Sequence, residues 1–507
     1  MPTHISRNIS ANIIGKICTA IVTYGSIPLF IRYLGMESYA LIGISLTLNQ
    51  IINLLDFGLS MTLNKGLARL SQEKNSEQQQ HNLLRTLETV YLPISLIVLA
   101  AIFLSSDWLA RNWLQSKGLS IEILTLSLKL IGVSLCLQWP YTLYQGGLLG
   151  LQRQVLTNKI SIGVAIAQNL GGLFALSIFG HKVEVFFYWQ IVVSLCTTLI
   201  IALSLRRALP KSCSKPYFEW NLLKQGMGFN LGMLGITLVS FCSLQADKIV
   251  LLRLLPLATY SAYLLASQIS SFITQIVYPV TMAVFPKMTQ LLQHDDQTEL
   301  TELYHRNCQI ITCTSLSLSA VICFFATPII HLIEAISGKP LIELKADQLL
   351  MVLSIASGIH ALLHLPHSLQ LAADQTRSWF VQNSISLFIQ IPILFIFTHK
   401  FGALGGAYVY LLLQCSWLFI QAPLIHRSTL RGEFRVWFLE DTIIPTAIAF
   451  LLVGAIRWGV HLPIGNIQMA AVLVATYILA VVCTILGCGR LRPILLERIL
   501  STKTLKI

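Results

Sequence analysis

The chain has 507 residues, of which 55% are hydrophobic and only 11% are charged, and its mean hydropathy is +0.70. Charges this sparse cannot cover the surface of a water-soluble protein, so the composition excludes a soluble domain of any size. The net charge of +13 is typical of a membrane protein with basic cytoplasmic loops, and it does not indicate a nucleic-acid partner. The sequence therefore predicts an all-α polytopic membrane protein.

Fourteen apolar stretches predict about fourteen transmembrane helices, because each is near or above the roughly 20 residues that a span needs. They cover about residues 9–31, 38–63, 86–105, 122–150, 155–179, 184–205, 226–253, 257–284, 307–333, 347–372, 378–398, 402–425, 441–460 and 467–488. The first stretch lacks a small-residue cleavage pattern, so we expect it to remain as a helix. Most of the 35 lysines and arginines lie on the side of the two termini, which predicts that both termini are cytoplasmic.

Polar side chains line one face of each of the first two predicted helices. In the first helix they fall within about 80° of one another on a helical wheel: Asn8, Asn12, Lys16, Thr19, Thr23 and Ser26. The second helix carries Gln50, Asn53, Asp56, Ser60 and Asn64 on one face. Polar contacts between helices typically involve one or two residues per interface, so these longer rows favour the wall of a water-filled cavity over polar packing.

An acid and a base stand side by side late in the seventh predicted helix, at Asp247 and Lys248. An ionisable group at membrane depth costs about 2.5–3.5 kcal/mol, so such groups are usually functional. Asn230 lies on the same face of this helix as Lys248, and we predict that this face also lines the cavity. The alternative is a neutralised pair that reaches the nearby interface beside Arg253.

The other candidates for the cavity wall are Lys129, Gln268, Gln275, His360 and His364. The two histidines and His367 share one side of the tenth predicted helix. Their spacing matches zinc ligands, but no nearby Cys, Asp or Glu completes a four-ligand site, so no metal site is predicted. Cavity lining, proton exchange and a buried hydrogen-bonded cluster are the alternatives. Gly146 and Gly150 in the fourth helix are spaced for close helix packing.

A basic, proline-containing loop separates two halves of the chain that partly repeat each other. The segment from Leu34 to Leu70 aligns without a gap with the segment from Leu255 to Leu291. Parallel repeats of this kind place a substrate site between two lobes. The predicted domains are an N-terminal lobe at 1–205, a cytoplasmic linker at 206–225, a C-terminal lobe at 226–425, and two peripheral helices with a cytoplasmic tail at 426–507.

Four segments carry a family resemblance: NIIGKICTAIVTYGSIPLFIRYLGMESYALIGI, LLDFGLSMTLNKGLARL, GLLGLQR and ADKIVLLRLLPLATYSAY. Together they resemble the polysaccharide transporter family, the Wzx-type O-antigen flippases of the multidrug/oligosaccharidyl-lipid/polysaccharide (MOP) exporter superfamily. The resemblance covers the layout of essentially the whole chain. It implies two pseudo-symmetric six-helix lobes around a central cavity, as in the related MATE transporters, and alternating access to that cavity.

The same resemblance implies the cargo, the membrane and the partners. The cargo is an undecaprenyl-pyrophosphate-linked oligosaccharide, moved from the cytoplasmic to the periplasmic leaflet of a bacterial inner membrane. Membrane lipids, a polysaccharide polymerase and a chain-length regulator are the implied partners. The charges of the predicted site agree with an anionic cargo, because lysine suits a pyrophosphate group. Its cations are Lys16, Lys129 and Lys248, with Arg32 and Arg253 near the outer mouth, and its acids are Asp56 and Asp247.

Three other functions compete with a flippase. A cation-coupled exporter of small molecules is expected to carry an acid in the first helix, whereas the first acid here is Glu37. A membrane glycosyltransferase or polymerase usually has a sizeable external loop, but the longest ones here, about 106–121 and 334–346, are short and no DxD motif occurs. A scaffold of polysaccharide assembly does not require polar cavity walls. We therefore predict a non-enzymatic transporter without catalytic residues or a cofactor, with a proton or sodium gradient as its candidate driving force.

Overall fold

Helices account for nearly all of the residues that the computed structural model describes, which are 19–56, 58–74, 76–211, 214–294, 296–459, 465–493 and 497. Of residues 221–234, 236 and 467, only the helical backbone is described. Residues 19–34 form α1. The helices that follow are α2 (Met36–Leu54), α3 (Leu59–Leu70), α4 (Glu77–Asn112), α5 (Ile121–Gln138), α6 (Pro140–Gly150), α7 (Gln154–Phe179), α8 (Val183–Ala208), α9 (Trp220–Leu254), α10 (Leu257–Gln293), α11 (Gln297–Phe324), α12 (Ala326–Ser337), α13 (Ala346–Ala372), α14 (Thr376–Phe401), α15 (Ala403–Ser416), α16 (Ala422–Thr429), α17 (Phe434–Val436), α18 (Ile444–Gly459) and α19 (Asn466–Gly487).

Two π-helical turns interrupt the C-terminal part of the chain. The first, π1, is Trp417–Gln421 and joins α15 to α16. The second, π2, is Trp437–Ile443 and joins α17 to α18. Such π-helical turns inside α-helices are frequently found at functional positions.

Eleven helical stretches in the described part of the chain are long and apolar enough to cross a membrane, and the bent pair α2–α3 would make twelve. The predicted all-α polytopic fold is therefore confirmed. The count of fourteen spans stays a prediction, because the first predicted span begins outside the described residues and many side chains of α9 are not described.

The second predicted helix, expected to be continuous over 38–63, is broken between α2 and α3 with a bend of 55°. Gly58 lies in the break with φ of 74°, a left-handed conformation that glycine adopts without steric penalty. The Asp56 carboxylate accepts hydrogen bonds from the backbone N–H and the hydroxyl of Ser60, in the first turn of α3. These local features end α2 and start α3, and they place Asp56 at the bend.

Contacts divide the chain into two compact units. The first unit runs to Lys248 and includes Pro256–Ser261 and Ile336–Lys339, whereas the remainder forms the second. In the first unit α5 packs on α4 and α8, and α8 packs on α7. In the second unit α13 packs on α11 and α15, and α15 packs on α14. This shared order of neighbours supports the predicted repeat. The division falls inside α9, and the predicted lobe limits stay a prediction.

Small side chains allow close helix packing in both units. In the first unit, a Cβ at Gly146 would lie 2.5 Å from the carbonyl oxygen of Ser60, and one at Gly150 would lie 2.4 Å from that of Asn64. The predicted close packing at these glycines is therefore present, between α6 and α3. In the second unit, α18 and α19 pack on α11 through buried alanines and valines: Ala320, Val321, Ala449, Val453 and Ala480.

Candidate functional site

A row of polar side chains joins α2 to α9 within the first unit. Gln245 donates from Nε2 to Gln50 Oε1 at 3.4 Å, and its Oε1 accepts from Lys248 Nζ at 3.0 Å. Gln245 is buried, whereas Lys248 is half-buried and Gln50 is exposed. Because an amide both donates and accepts, Gln245 connects a neutral amide to a lysine charge. The structure thus brings together two predicted site residues, Gln50 and Lys248, that are far apart in sequence.

Asp247 occupies a different environment from its neighbour Lys248. Its side chain is buried, with the residue only 4% exposed, and it lies beside the buried Tyr260, which in turn is close to Thr47. Successive residues of a helix point about 100° apart, which explains why the acid and the base do not share one environment. The joint lining of a cavity by Asp247 and Lys248 stays a prediction.

A small pocket of about 30 Å³ lies between α2, α5 and α6. Its polar lining consists of Asn49, Asn53, Gln138, Tyr141 and Thr142. Asn53 donates from Nδ2 to Asn49 Oδ1 at 2.8 Å, which orders two of these amides. A volume of this size holds about two water molecules or a hydroxyl group with its carbon, since one water needs about 10–15 Å³. The described lining carries no charge, and its amides and hydroxyls can exchange hydrogen bonds with a hydroxyl-rich ligand.

Asp56 is held by its protein neighbours. The Tyr91 hydroxyl donates to Asp56 Oδ1 and lies 3.4 Å from the hydroxyl of Thr142, which lines the amide pocket. Tyr91 is almost completely buried and packs against Trp139 with ring centroids 4.4 Å apart. With Ser60 also bound, Asp56 connects the break between α2 and α3 to α4. Direct contact between Asp56 and a cargo stays a prediction.

The polar side chains in the described part of α1 occupy different environments. Thr19 and Thr23 are half-buried on α1, and Arg32 is exposed near its end. Ser26 donates to Asn169 Oδ1 of α7 at 3.1 Å, so at this position the polar face forms packing contacts between helices. Asn12 and Lys16, like the side chain of Asn230, lie outside the described residues.

Lys129 is not brought to the polar row. It is half-buried, and its Nζ lies 5.9 Å from the centroid of the Phe103 ring on α4, a distance typical of a cation–π contact. Nine residues separate it from Gln138 of the amide pocket, which places the two side chains about 180° apart on α5. A role for Lys129 in the same site as Lys248 stays a prediction that this geometry does not favour.

The histidines of α13 form a buried aromatic cluster in the second unit. The His360 and His364 rings stack with centroids 5.1 Å apart, and the Tyr410 hydroxyl lies 3.2 Å from His360 Nδ1. His367 meets Trp417 of π1 edge to face at 5.8 Å. The described part of the chain holds no group of three or more His, Cys, Asp or Glu side chains placed to bind a metal ion. This geometry favours the hydrogen-bonded cluster among the three alternatives.

The other predicted residues beyond the first unit are dispersed. Gln268 is half-buried and Gln275 is exposed on α10, and Arg253 is exposed near the end of α9. Each of the three has an interaction partner. Their participation in a cavity wall or an outer mouth stays a prediction.

Sequence reasoning missed a deeply buried polar network in the second unit. Both His305 of α11 and Asp441 of π2 are fully buried, and His305 Nδ1 is hydrogen-bonded to Asp441. His305 Nε2 lies 3.1 Å from Glu433, and Gln309 donates to Asp441 at 2.9 Å. In the sequence, Asp441 next to an apolar run gives little indication of this network, because its partner His305 lies 136 residues away.

A second missed network lies in the first unit. Glu88 of α4 accepts hydrogen bonds from Arg206 of α8 at 2.8 Å and from the Tyr144 hydroxyl of α6 at 2.9 Å. Only 8% of the Glu88 side chain is exposed, so the carboxylate is largely removed from water. It therefore links three helices of this unit.

The apolar helices and their repeated order of neighbours define a multi-pass membrane protein. A family model described as polysaccharide biosynthesis protein matches residues 5–292, which is more than half of the chain. The chain therefore belongs to the polysaccharide biosynthesis protein family. This confirms the family resemblance of the sequence. No curated protein matches the chain.

Solved structures share its fold. One is the lipid II flippase MurJ in an inward closed conformation, with a TM-score of 0.64, 16% identity, and coverage of 93% of this chain and 97% of that one. Another is an inward-facing multidrug resistance MATE family transporter of the MOP superfamily, with a TM-score of 0.65, 14% identity, and coverage of 81% and 96%. A third is an outward-facing multidrug resistance MATE family transporter of the same superfamily, with a TM-score of 0.58, 15% identity, and coverage of 86% of this chain and 96% of that one. Identities this low show the fold alone, and that fold is the predicted one.

Proposed function

We propose that this protein is a flippase that moves an undecaprenyl-pyrophosphate-linked oligosaccharide, an O-antigen or similar repeat unit, from the cytoplasmic to the periplasmic leaflet of a bacterial inner membrane. Membership in the polysaccharide biosynthesis protein family supports the class of cargo. The observation that carries the proposal is the row from Gln50 through Gln245 to Lys248. It combines a cation with neutral amides inside one helical unit.

The two ends of this row suit the two parts of such a cargo. An ammonium group has three donors, and Gln245 accepts from Lys248 at 3.0 Å, so further donors of Lys248 are available to a phosphate oxygen. A pyrophosphate would also offset the cost of keeping a lysine away from bulk water. The uncharged pocket beside Asn49 and Asn53 suits a sugar hydroxyl instead. We propose that the pyrophosphate binds near Lys248 and that a sugar hydroxyl binds in the amide pocket.

Movement of the cargo requires no covalent chemistry. We propose alternating access, with a proton or sodium gradient as the driving force and both termini in the cytoplasm. A polymerase and a chain-length regulator would act on the oligosaccharide after its release. Because the cargo leaves unchanged, the protein would act as a transporter and not as an enzyme.

The test is transport in vesicles reconstituted with an undecaprenyl-pyrophosphate-linked oligosaccharide. The measured quantity is the rate at which the sugar becomes accessible to a membrane-impermeant oxidant. A hydrogen bond to a charged group contributes about 1.5–3 kcal/mol, so Lys248→Gln should slow transport about ten-fold to a hundred-fold. Lys248→Arg should retain more activity than Lys248→Gln. The matched control is Lys182→Gln, which removes the charge of an exposed lysine at the start of α8 and should transport normally.

The outcomes separate the competing functions. Equal rates for Lys248→Gln and Lys182→Gln would show that the charge at 248 does not act on the cargo. If the wild-type protein fails to move the lipid-linked oligosaccharide but exports a cationic dye, the exporter alternative replaces the flippase. Asn53→Ala should reduce transport of the full oligosaccharide more than transport of a lipid that carries the pyrophosphate with a single sugar.

A further inference from the structure

A cavity of about 670 Å³ opens on the second unit. Its lining comes from the first three turns of α11 and from the segment after α19: Gln297, Thr298, Thr301, Glu302, Arg306 and Arg490. This volume lies within the range of about 300–1,000 Å³ that is common for ligand sites. All six described lining residues are of polar or charged types, so the cavity can bind a hydrophilic group.

The lengths of α11 and α19 indicate where the two arginines lie relative to the membrane. Helix α11 has 28 residues, whereas about 20 are enough to cross the hydrocarbon, so roughly eight residues extend beyond it. Arg306 is the tenth residue of this helix, close to that limit. The apolar helix α19 ends at Gly487, three residues before Arg490. Both guanidinium groups are therefore expected at the level of lipid headgroups.

The charges of the cavity favour an anion with phosphate geometry. The lining carries two guanidinium groups, those of Arg306 and Arg490, and one carboxylate, that of Glu302. The donor geometry of a guanidinium group matches the oxygen atoms of a phosphate. The hydroxyl of Thr298 adds an uncharged donor, whereas the Thr301 hydroxyl donates to the carbonyl oxygen of Gln297 at 2.7 Å. Arg490 is also attracted electrostatically by the buried carboxylate of Asp441.

Exposed apolar side chains occur on α19, which ends three residues before the cavity residue Arg490. Leu479, Val482 and Leu486 are 47%, 41% and 42% exposed, and their spacing places them on one side of the helix. Leu486 lies four residues before Arg490 in the chain. A ligand with a phosphate and an acyl chain could therefore contact both surfaces together, which distinguishes a lipid from a free phosphate ion.

We propose that this cavity binds the headgroup phosphate of an anionic phospholipid, in the leaflet on the side of the basic loops. The anionic lipids of that leaflet are attracted by basic side chains near the membrane surface. The proposal is independent of the transported cargo, because none of the six lining residues belongs to the row or to the amide pocket. A failure of one proposal leaves the other unaffected.

Binding can be measured on the full-length protein in detergent by titration with phosphatidylglycerol, with phosphatidylcholine as the uncharged counterpart, and by counting retained lipids in native mass spectrometry. Wild-type protein should retain phosphatidylglycerol in preference to phosphatidylcholine. Arg306→Gln and Arg490→Gln should each weaken the apparent affinity about five-fold, and the double variant should lose the preference. Arg306→Lys should lose less, since it keeps the charge. The matched control is Arg431→Gln, an exposed arginine outside the cavity, which should bind like the wild type.

Three results would overturn the proposal. The first is a double variant that remains monodisperse and still prefers phosphatidylglycerol to phosphatidylcholine as strongly as the wild type does. The second is an equal loss in Arg431→Gln, which would indicate general attraction of anions to a basic surface. The third is that inorganic phosphate displaces phosphatidylglycerol and binds with the same affinity as the lipid, because the site would then bind a free phosphate and not a lipid.

Discussion

The buried pair of His305 and Asp441 should be the most sensitive polar contact of the second unit. In His305→Leu, the fully buried Asp441 would lose its imidazole partner and keep the hydrogen bond from Gln309 at 2.9 Å and the weaker electrostatic attraction of Arg490. Removing one partner of a buried charged pair costs about 3–5 kcal/mol, because the remaining charge is left uncompensated. We expect the lower end of this range, since one hydrogen bond to Asp441 remains.

The contribution of Glu433 to this loss should be small. It lies 3.1 Å from His305 Nε2, but its side chain is 31% exposed and water can replace the imidazole. A loss of about 3 kcal/mol corresponds to a fall in the melting temperature of about 6–12 °C for a unit of this size. The exposed pair of Lys287 and Glu299 at 2.9 Å is the matched control, and Lys287→Gln should cost less than about 1 kcal/mol.

The decisive measurement is a double-variant cycle followed by thermal unfolding of the purified full-length protein. Asp441→Asn alone should destabilise the protein, because it removes the charge that binds His305. In the His305→Leu background, the same substitution should raise the melting temperature, since it removes the uncompensated charge and can still accept a hydrogen bond from Gln309. If Asp441→Asn lowers the melting temperature equally in both backgrounds, the two side chains do not act as a charged pair.

Three further predictions concern packing, a second buried carboxylate and orientation. Gly146→Ala should lower the melting temperature by several degrees, because its Cβ would approach a backbone oxygen of α3 to 2.5 Å, whereas Gly163→Ala, with open space around it, should not. Glu88→Ala should cost about 1–3 kcal/mol in the same assay, and Glu88→Gln should cost less because it can still accept a hydrogen bond. A reporter enzyme inserted in the 206–225 loop should report a cytoplasmic position, and activity of a periplasmic reporter there would reverse the predicted orientation.

The limits of most helices could be predicted because they are set by chain composition. The span predicted at 155–179 is α7, Gln154–Phe179, and the one predicted at 467–488 is α19, Asn466–Gly487. In both cases a long apolar run ends at polar residues or glycine, and a helix must fill that run to satisfy its backbone in lipid. The break between α2 and α3 was not predicted, because it depends on the conformation of Gly58 and on the capping by Asp56.

The candidate site could be predicted only in part, because a helical wheel gives the residues of one face and not the neighbour that this face meets. The sequence predicted Gln50 and Lys248 on polar faces, and in the structure Gln245 joins them by hydrogen bonds. The same reasoning grouped Lys129 with them, but that side chain packs near Phe103 of α4. Which face packs against which helix depends on long-range contacts that no single segment encodes.

In each unit a polar contact joins helices that hold corresponding places in the order of neighbours, and the contacting residues differ. In the first unit Glu88 of α4 binds Arg206 near the end of α8, across 118 residues of chain. In the second unit Tyr304 of α11 lies 3.1 Å from His426 of α16, across 122 residues. Because α4 and α11 occupy the same place in the order of neighbours, both contacts tie corresponding helices together. A carboxylate–guanidinium pair and a phenol–imidazole pair share no residue type, so the two units keep corresponding helices in contact through different chemistry. This explains why the repeat is visible in the sequence as a shared pattern with little identity.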